Sequence, residues 1–370
     1  MYRIEALLSA RLFLRPELVN NRLFFLSNIS GHNSLYAMEH GGSVPEPLLP
    51  HDIVLQNPHL VGGMSFAVFN DLGKILVMID KDGDENYQPM LIPISGGFPE
   101  PAFENFFDNT RCYVGQVDPK KNMCMIIAES REEGMVRTYL CRLESNEVEE
   151  IYASPFGGYP AVRNEDYSRI VLVEGYAMGD TVALLWEKGE GTRVLYGKPM
   201  KEREAGEKMP LIAFGEGFFT EEGQALVFAN ALFRDTYGLG HMHLETPEYV
   251  EEIPFEGLAH SGVGEFSGFE PLPNGRFILQ FNIDGASWAY EAEYDVEAKV
   301  MRAVNLLVGK GVLSEGVLES IKYDQESDVF AVSFSTATSP TQIYTIEGKD
   351  RDRLVQHTHE RILGISQDLL

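Results

Sequence analysis

Residues 96–103 read GGFPEPAF and residues 41–49 read GGSVPEPLL, so one motif occurs twice, with its first glycines 55 residues apart. A short run that contains a methionine precedes each copy: SLYAM at 34–38 and YQPMLIPI at 87–94. Self-similarity at a period of roughly 50 residues indicates a chain built from structural repeats.

Seven apolar runs occur at intervals of about fifty residues and have the composition of β-strands. They are RLFFLS (22–27), KILVMI (74–79), MCMIIA (123–128), RIVLVE (169–174), ALVFAN (225–230), RFILQF (276–281) and VFAVSF (329–334). Turns rich in Asn, Asp and Gly stand before most of them, and a further strand-like run follows each one, as expected for successive hairpins. Four strands per repeat predict an all-β chain, a seven-bladed β-propeller of four-stranded antiparallel blades.

The repeats occupy nearly the whole chain. We assign residues 16–358 to the propeller, residues 1–15 to a lead segment, and residues 359–370 to a linker. A short N-terminal helix is predicted within residues 3–14 from side chains at helical spacing. Those side chains are Ile4, Leu7, Leu8, Arg11 and Leu12.

Composition excludes several classes of protein. The chain is 44% hydrophobic and 11% aromatic, as in globular proteins, and its net charge of −26 would repel a nucleic-acid backbone. No apolar run is long enough for a signal peptide or a membrane span. The three cysteines, Cys112, Cys124 and Cys141, have neither the number nor the spacing of a disulfide framework or a zinc site. A reducing, cytoplasmic location is predicted.

The run IDKDGDENYQ (79–88) places Asp80, Asp82 and Asp84 at alternate positions. A calcium loop would require Gly and Glu where this chain has Glu85 and Leu91, so we predict a turn and not a metal site. In a propeller blade this turn joins the second and third strands, and the seven equivalent hairpins share one face. Their carboxylates outnumber their basic residues, which predicts an electronegative face.

The sequence contains none of the common motifs for catalysis or cofactor binding. No serine has a Gly-x-Ser-x-Gly context, and there is no P-loop, His-Glu-x-x-His motif or dinucleotide fingerprint. We therefore predict no catalytic residue, no cofactor and no bound metal. Two His-x-His pairs occur. For His241 and His243 we favour half-exposed strand positions, since zinc would need at least a third ligand, and for His357 and His359 a solvated chain terminus.

A candidate binding site is the pair Glu132 and Glu133, which lies in a predicted hairpin. Adjacent glutamates in a loop can hold a peptide amino terminus by charge-assisted hydrogen bonds, whereas adjacent residues of a strand face opposite ways. A solvated turn is the alternative interpretation of the same pair.

The last repeat resembles the end of the propeller in the prolyl oligopeptidase-like serine peptidases, which include acylaminoacyl-peptidases and dipeptidyl-peptidases. In SFSTATSPTQIYTIE (333–347), Ser335, Pro340, Ile343 and Tyr344 match that family's Ser-x-x-x-x-Pro-x-x-Ile/Leu-Tyr run. Leu354 with Thr358 loosely matches the segment that leads to the hydrolase domain. DGDENYQPMLIPISGG, from residue 82, is similar to another hairpin of the family.

The resemblance implies a propeller that covers a catalytic cavity and admits only small or unfolded peptides. The family's catalytic Ser, Asp and His belong to an α/β-hydrolase domain, so none can be assigned in this chain. Three arrangements remain open: a fragment of a longer peptidase, which we favour, a separate subunit that docks with a hydrolase, or an independent propeller. Expected partners are the hydrolase domain, in cis or trans, and a peptide substrate. Nucleic acid and membrane are not expected.

Two other functions compete with a gating domain. One is a stand-alone propeller that binds peptides or proteins. The other is a metal-dependent propeller hydrolase with carboxylates in the central channel, which the apolar and aromatic first strands (FAVF, RCYVGQ, YPAV) disfavour.

Overall fold

The computed structural model describes residues 4–81 and 83–366, which form seven sheets arranged in a ring. The first sheet contains β1 (Phe13–Val19), β2 (Arg22–Ser27), β3 (Ser34–Glu39) and β4 (Glu46–Pro47). The second contains β5 (Val54–Leu55), β6 (Phe66–Phe69), β7 (Lys74–Asp80), β8 (Gln88–Pro93) and β9 (Glu100–Asn105). The third contains β10 (Thr110–Asp118), β11 (Met123–Ser130), β12 (Val136–Arg142) and β13 (Glu147–Ser154).

The remaining four sheets continue the same pattern. The fourth contains β14 (Tyr159–Arg163), β15 (Arg169–Ala177), β16 (Asp180–Glu187) and β17 (Gly191–Tyr196). The fifth contains β18 (Gly217–Thr220), β19 (Ala225–Asn230), β20 (Gly238–His243) and β21 (Val250–Ile253). The sixth contains β22 (Phe255–Glu256), β23 (Gly264–Pro271), β24 (Phe277–Ile283), β25 (Ala286–Asp295) and β26 (Val300–Val308). The seventh contains β27 (Gly316–Asp324), β28 (Val329–Thr336), β29 (Ser339–Glu347) and β30 (Arg353–Gln356).

The predicted seven-bladed propeller is confirmed, and all seven predicted second strands lie in the expected places. Each sheet is an antiparallel meander of four strands, with two local variations. In the second sheet the inner strand is divided into β5 and β6, which both pair with β7. In the sixth, β22 adds a short parallel strand beside β26.

Both faces of each second strand are buried, which explains why these runs read as continuously apolar. In β2, Phe24 and Leu26 pack against the second sheet, whereas Leu23 and Phe25 pack against the seventh. Side chains alternate between the two faces of a strand, so one short run contributes to two hydrophobic layers. Similar clusters join every neighbouring pair of sheets in the part of the chain that is described.

The first strands of neighbouring sheets contact one another and surround the axis of the ring. The ring closes where β1 packs against β27 and β28. The strands of the first sheet all come from residues 13–47, and those of the seventh sheet all come from residues 316–356. Because the two sheets share no strand, contacts between their side chains close the ring. Its polar part includes His40 Nε2, 2.8 Å from Glu347 Oε1, and the Gly41 N–H, which donates to His357 Nδ1 at 3.1 Å.

The helix predicted within residues 3–14 is not shown. The structure has a single helical turn, Ile4–Leu7, and residue 3 lies outside the described residues. Phe13 and Leu14 instead begin β1, where they pair with Ser27 and Leu26. Burial of these two side chains in the sheet outweighs a local helical pattern that is too short to be stable alone. Among the described residues, no helix has the length and hydropathy needed to cross a membrane.

Candidate functional site

The antiparallel register divides the ring into two faces. In the third sheet Thr110 pairs with Ser130, and Val136 pairs with Ser154. The start of the first strand, the hairpin between the second and third strands, and the end of the fourth strand therefore share one edge. We call this side of the ring the hairpin face, and the opposite side the turn face. The chain enters the propeller at β1 and leaves it after β30 at the hairpin face.

The acidic hairpin between β7 and β8 is a turn held by its own carboxylates. Asp80 Oδ1 accepts from the Glu85 N–H at 3.2 Å, and Asp84 Oδ1 accepts from the Asn86 N–H at 2.8 Å. Asp82 lies outside the described residues. The described carboxylates thus have the structural role that the sequence indicates.

Glu132 and Glu133 lie in the hairpin between β11 and β12, and both are exposed on the hairpin face. Glu133 forms an ion pair with Arg137, which also lies 3.4 Å from Glu150. Arg131 donates to the backbone carbonyl of Asp84 at 3.4 Å and so joins this hairpin to its neighbour. Of the two glutamates, only Glu133 has an ion pair among the described residues.

The hairpin face is less acidic than the hairpin sequences alone imply, because arginines from other segments reach it. Arg111 of β10 lies 3.2 Å from Glu85. Arg203, from the connection between β17 and β18, donates to both oxygens of Asp180 at 2.6 and 2.8 Å. Sequence reasoning missed these partners because they stand outside the hairpins and approach them only in the folded chain.

Glu174, at the end of the predicted second strand RIVLVE (169–174), is a buried carboxylate. Its oxygens accept hydrogen bonds from the hydroxyl groups of Tyr152, Ser154 and Tyr176. Burial of Tyr176 and, as the second cause, its hydrogen bond to Glu174 raise the pKa of Tyr176 to about 12. The hydroxyls satisfy the buried carboxylate and join β13 to β15 near the hairpin face.

The first strands are irregular in five sheets. The pairing register shifts within β1, β10, β14, β23 and β27. Such β-bulges add a residue to one strand and change the direction of its side chains, and they are common at barrel rims and beside functional sites. In β1 the bulge includes Arg15, whose φ is 49°. In β27 it includes Glu319.

In the second sheet, residues 57–64 form a loop that is inserted into the inner strand between β5 and β6. Five of the other sheets have a β-bulge in the corresponding strand. The Gln56 N–H donates to Met78 O, and the Met78 N–H donates to Ser65 O, both at 2.9 Å, so the loop leaves and rejoins the strand at one place. Gln56 Nε2 donates to Gly62 O at 2.8 Å and holds the loop from inside. The sequence signals were Asn57-Pro58 and Gly62-Gly63, which are typical of a break in a strand.

The inserted loop spans several inner strands. On one side, the Met64 N–H donates to Val114 O of β10 at 3.0 Å. On the other, His59 Nε2 lies 3.2 Å from Glu319 Oε2 of β27, on the far side of the first sheet. Compact loops of this kind are frequently functional. The loop therefore reaches from β10 to β27, close to the hairpin face.

Charged side chains occur on the inner strands, contrary to the apolar first strands that the sequence indicated. Burial raises the pKa of Glu17 in β1 to about 7, with Lys322 of β27 acting in the opposite direction. Burial and the nearby Glu270 raise the pKa of Glu216, which precedes β18, to about 7. Lys322 Nζ lies 3.8 Å from Glu270 Oε1. Sequence reasoning missed this group because its members lie in four different sheets.

The turn face also has a connection between distant sheets. Lys120, in the turn between β10 and β11, donates to Gln325, in the turn between β27 and β28. These turns belong to the third and seventh sheets, between which the first and second sheets lie. A side-chain contact therefore joins the third and seventh sheets on the turn face, and the inserted loop joins the same two sheets near the hairpin face.

The histidine pairs differ from expectation in burial. His241 is buried and His243 is exposed, and Glu221 lies beside both of them. His357 is buried against the first sheet, whereas His359 is exposed. The prediction of a solvated terminus is therefore wrong for His357, because the closure of the ring covers it.

No family model matches the chain, and no curated protein matches it in sequence. Solved structures do match its fold. A prolyl endopeptidase matches with a TM-score of 0.67 and 12% identity, over 97% of this chain and 51% of its own. A puromycin hydrolase matches with a TM-score of 0.66 and 15% identity, over 98% of this chain and 56% of its own. The acylaminoacyl peptidase of Pyrococcus horikoshii matches with a TM-score of 0.61 and 14% identity, over 94% and 52%.

This chain has the fold of the propeller domains of prolyl oligopeptidase-family peptidases. It spans about half the length of the solved chains that it matches. The resemblance that the sequence indicated through Ser335, Pro340, Ile343 and Tyr344 is confirmed at the level of the fold. These four residues lie in β28 and β29 of the closing sheet.

Proposed function

We propose that this chain is the substrate-gating propeller of a prolyl oligopeptidase-like serine peptidase and has no hydrolase activity of its own. The observation that carries the proposal is the match of 97% of this chain to about half of a prolyl endopeptidase. In the matched peptidases the propeller is paired with a catalytic α/β-hydrolase domain in cis. The hairpin face, where this propeller begins and ends, is the face that would meet such a domain.

The inner strands supply a physical means of gating. The loop of residues 57–64 obstructs the axis near the hairpin face, and the contact of Lys120 with Gln325 joins distant sheets at the turn face. A folded protein is far wider than an opening bounded in this way, whereas an extended peptide is narrow. The propeller would therefore exclude folded proteins and admit short or unfolded peptides.

Glu132 is proposed to take part in substrate binding, with Glu133 as its neighbour. Glu132 is exposed on the hairpin face, where a peptide between the two domains would pass. Its carboxylate can accept charge-assisted hydrogen bonds from a peptide amine. Glu133 contributes less, since Arg137 already neutralises it.

The experiment compares the hydrolase domain of a matched peptidase alone, this chain alone, and the two together. The substrates are a chromogenic aminoacyl anilide, a ten-residue peptide and a folded globular protein. We expect no turnover by this chain alone, and in the assembly a lower rate on the protein with retained turnover of the anilide. Turnover by the purified chain that persists through repeated purification would contradict the absence of catalysis. Unchanged protein cleavage in a demonstrated complex would contradict gating.

A stand-alone peptide-binding propeller is the second candidate, and the exposed Glu132 on the hairpin face favours it. This function predicts saturable binding of peptides with a free amino terminus by the isolated chain. The matched control is the same peptide with an acetylated amino terminus. Equal binding of the two peptides, or equal binding by a Glu132→Gln variant, would count against this candidate.

A further inference from the structure

Three potential metal-binding side chains converge at the turn face of the fifth sheet. They are Glu221, His241 and His243, and their ligand atoms all lie within 4.8 Å of one another. Glu221 Oε1 is 3.0 Å from His241 Nε2, and Glu221 Oε2 is 3.4 Å from His243 Nε2. The third ligand that the sequence pattern lacked is therefore provided by a residue about twenty positions away in the chain.

Local backbone structure explains the convergence. His241 and His243 are two residues apart in β20, so their side chains lie on the same side of the strand. Glu221 begins the turn between β18 and β19, where Glu221 and Glu222 have φ values of 51° and 54°. Two successive left-handed residues are uncommon outside glycine and reverse the chain sharply. This reversal brings the Glu221 carboxylate beside the two imidazole rings.

The donor set is the one that zinc prefers. Two imidazole nitrogens and one carboxylate oxygen form three-ligand zinc sites that leave a fourth position for water. With metal–ligand bonds of about 2.0–2.1 Å, tetrahedral ligand atoms lie about 3.3 Å apart. The two oxygens of Glu221 lie 3.0 and 3.4 Å from the two imidazole nitrogens, and the ligand atoms of the three residues all lie within 4.8 Å of one another. Binding through a single oxygen would require side-chain rotations that bring the three ligand atoms to the tetrahedral spacing.

Glu221 faces both imidazole rings together. Metals bind imidazole in its neutral form, and one carboxylate beside two such rings provides the donors of a three-ligand site. Glu251 Oε2 lies 4.0 Å from His241 Nδ1 and forms an ion pair with Lys299.

We propose that Glu221, His241 and His243 bind a zinc ion at the turn face of the fifth sheet, with its fourth position open to water. The ion would connect the turn between β18 and β19 to β20, and thereby stabilise the fifth sheet. This site is independent of the proposed gating function and lies on the opposite face from the proposed hydrolase contact.

The test is a titration of the chelator-treated full chain with ZnCl₂ by calorimetry, and with CoCl₂ by visible absorption. We expect one zinc ion per chain, an increase in the melting temperature, and intense absorption bands of four-coordinate cobalt. His243→Gln and Glu221→Gln should each weaken zinc binding by at least about 100-fold. His51→Gln, which replaces an exposed histidine outside the cluster, is the control and should bind as the wild type does.

The variants must be folded for the comparison to be decisive. His243 is half exposed, so His243→Gln should retain the circular dichroism spectrum and the metal-free melting temperature of the wild type. No zinc binding by the wild-type chain would overturn the proposal. Binding of equal affinity and stoichiometry by folded His243→Gln and wild-type chains would overturn it as well, because the ion would then reside elsewhere on this acidic protein.

Discussion

His59 Nε2 lies 3.2 Å from Glu319 Oε2, and this contact joins the inserted loop of the second sheet to the inner strand of the seventh. Glu319 lies at a β-bulge, and its other oxygen accepts from Ser335 at 3.2 Å. The bulge thus presents a carboxylate to a loop that reaches it past the first sheet. If the loop gates the axis, this contact is one of the interactions that hold it closed.

Loss of the contact should loosen the loop without unfolding the propeller. A partly exposed pair of this kind contributes up to about 1 kcal/mol, so Glu319→Gln and His59→Gln should each accelerate amide exchange at Leu60 and Val61 by about 2- to 5-fold. Hydrogen exchange measured by mass spectrometry tests this, with β11 as the internal reference. Unchanged exchange of the loop in both variants would show that the contact does not restrain it.

Adjacent glycines in the loop should differ sharply in their tolerance of substitution. Gly63 has a φ of 90°, and a Cβ there would lie 2.9 Å from Val114 O, whereas a Cβ on Gly62 would meet nothing within 4 Å. Gly63→Ala should lower the free energy of unfolding by about 1–3 kcal/mol, and Gly62→Ala by less than about 0.5 kcal/mol. Urea denaturation of the two variants provides the comparison. Equal effects would contradict the close approach of the loop to β10.

The buried Arg351 should be essential for joining the sixth and seventh sheets. Its guanidinium donates to both oxygens of Glu291 at 2.9 Å and to Asp328 at 2.7 Å. Arg351→Ala leaves the fully buried Glu291 with fewer partners and should cost about 3–5 kcal/mol. The control is Arg353→Ala, since Arg353 is exposed and its pair with Glu347 is worth about 1 kcal/mol or less. Thermal or urea unfolding that ranks the two variants equally would be inconsistent with this network.

Glu17 should destabilise the propeller at alkaline pH. Its folded-state pKa is raised from the usual 4.5 to about 7, chiefly by burial. Its contribution to stability is complete below pH 4.5 and is lost as the pH rises through 7, because the unfolded chain ionises first. The free energy of unfolding of Glu17→Gln should therefore exceed that of the wild type by about 1–3 kcal/mol at pH 8, and the two should be equal at pH 4. Glu132→Gln serves as the surface control, and a Glu17→Gln advantage that did not depend on pH would refute the assignment.

His357 should have the opposite pH dependence. Its Nδ1 accepts from the Gly41 N–H, and its Nε2 lies 2.9 Å from Thr345 Oγ1, so the ring is neutral where it joins the first and seventh sheets. Burial and the nearby His40 lower the pKa of His357 to about 4.

This stabilising contribution is fully present above pH 6.5 and is lost as the pH falls from 6.5 through 4, because the unfolded chain binds the proton first. Over that range the melting temperature of His357→Gln should fall less steeply than that of the wild type. His359→Gln, at an exposed position two residues away, should follow the wild-type curve. Parallel curves for His357→Gln and the wild type would contradict this account.

Local sequence was sufficient to predict the repeats and their strands. In RLFFLS (22–27) and ALVFAN (225–230), both bounds agree with β2 and β19, because a strand buried on both faces must be apolar throughout. The turn signals between runs then set the hairpins. The predicted N-terminal helix is not shown beyond the single turn Ile4–Leu7, and the sheet begins at Phe13.

Tertiary structure alone decided which distant side chains meet. The second and third strands could be read from the sequence because their pattern is local. Closure of the ring brought His59 to Glu319 and His357 to Gly41, and the packing of the sixth sheet on the seventh brought Arg351 to Glu291. A left-handed turn brought Glu221 to the two histidines of β20. The sequence by itself therefore determined the strands and the number of blades, since these follow from local periodicity, whereas the candidate sites depend on contacts between segments that only the folded ring brings together.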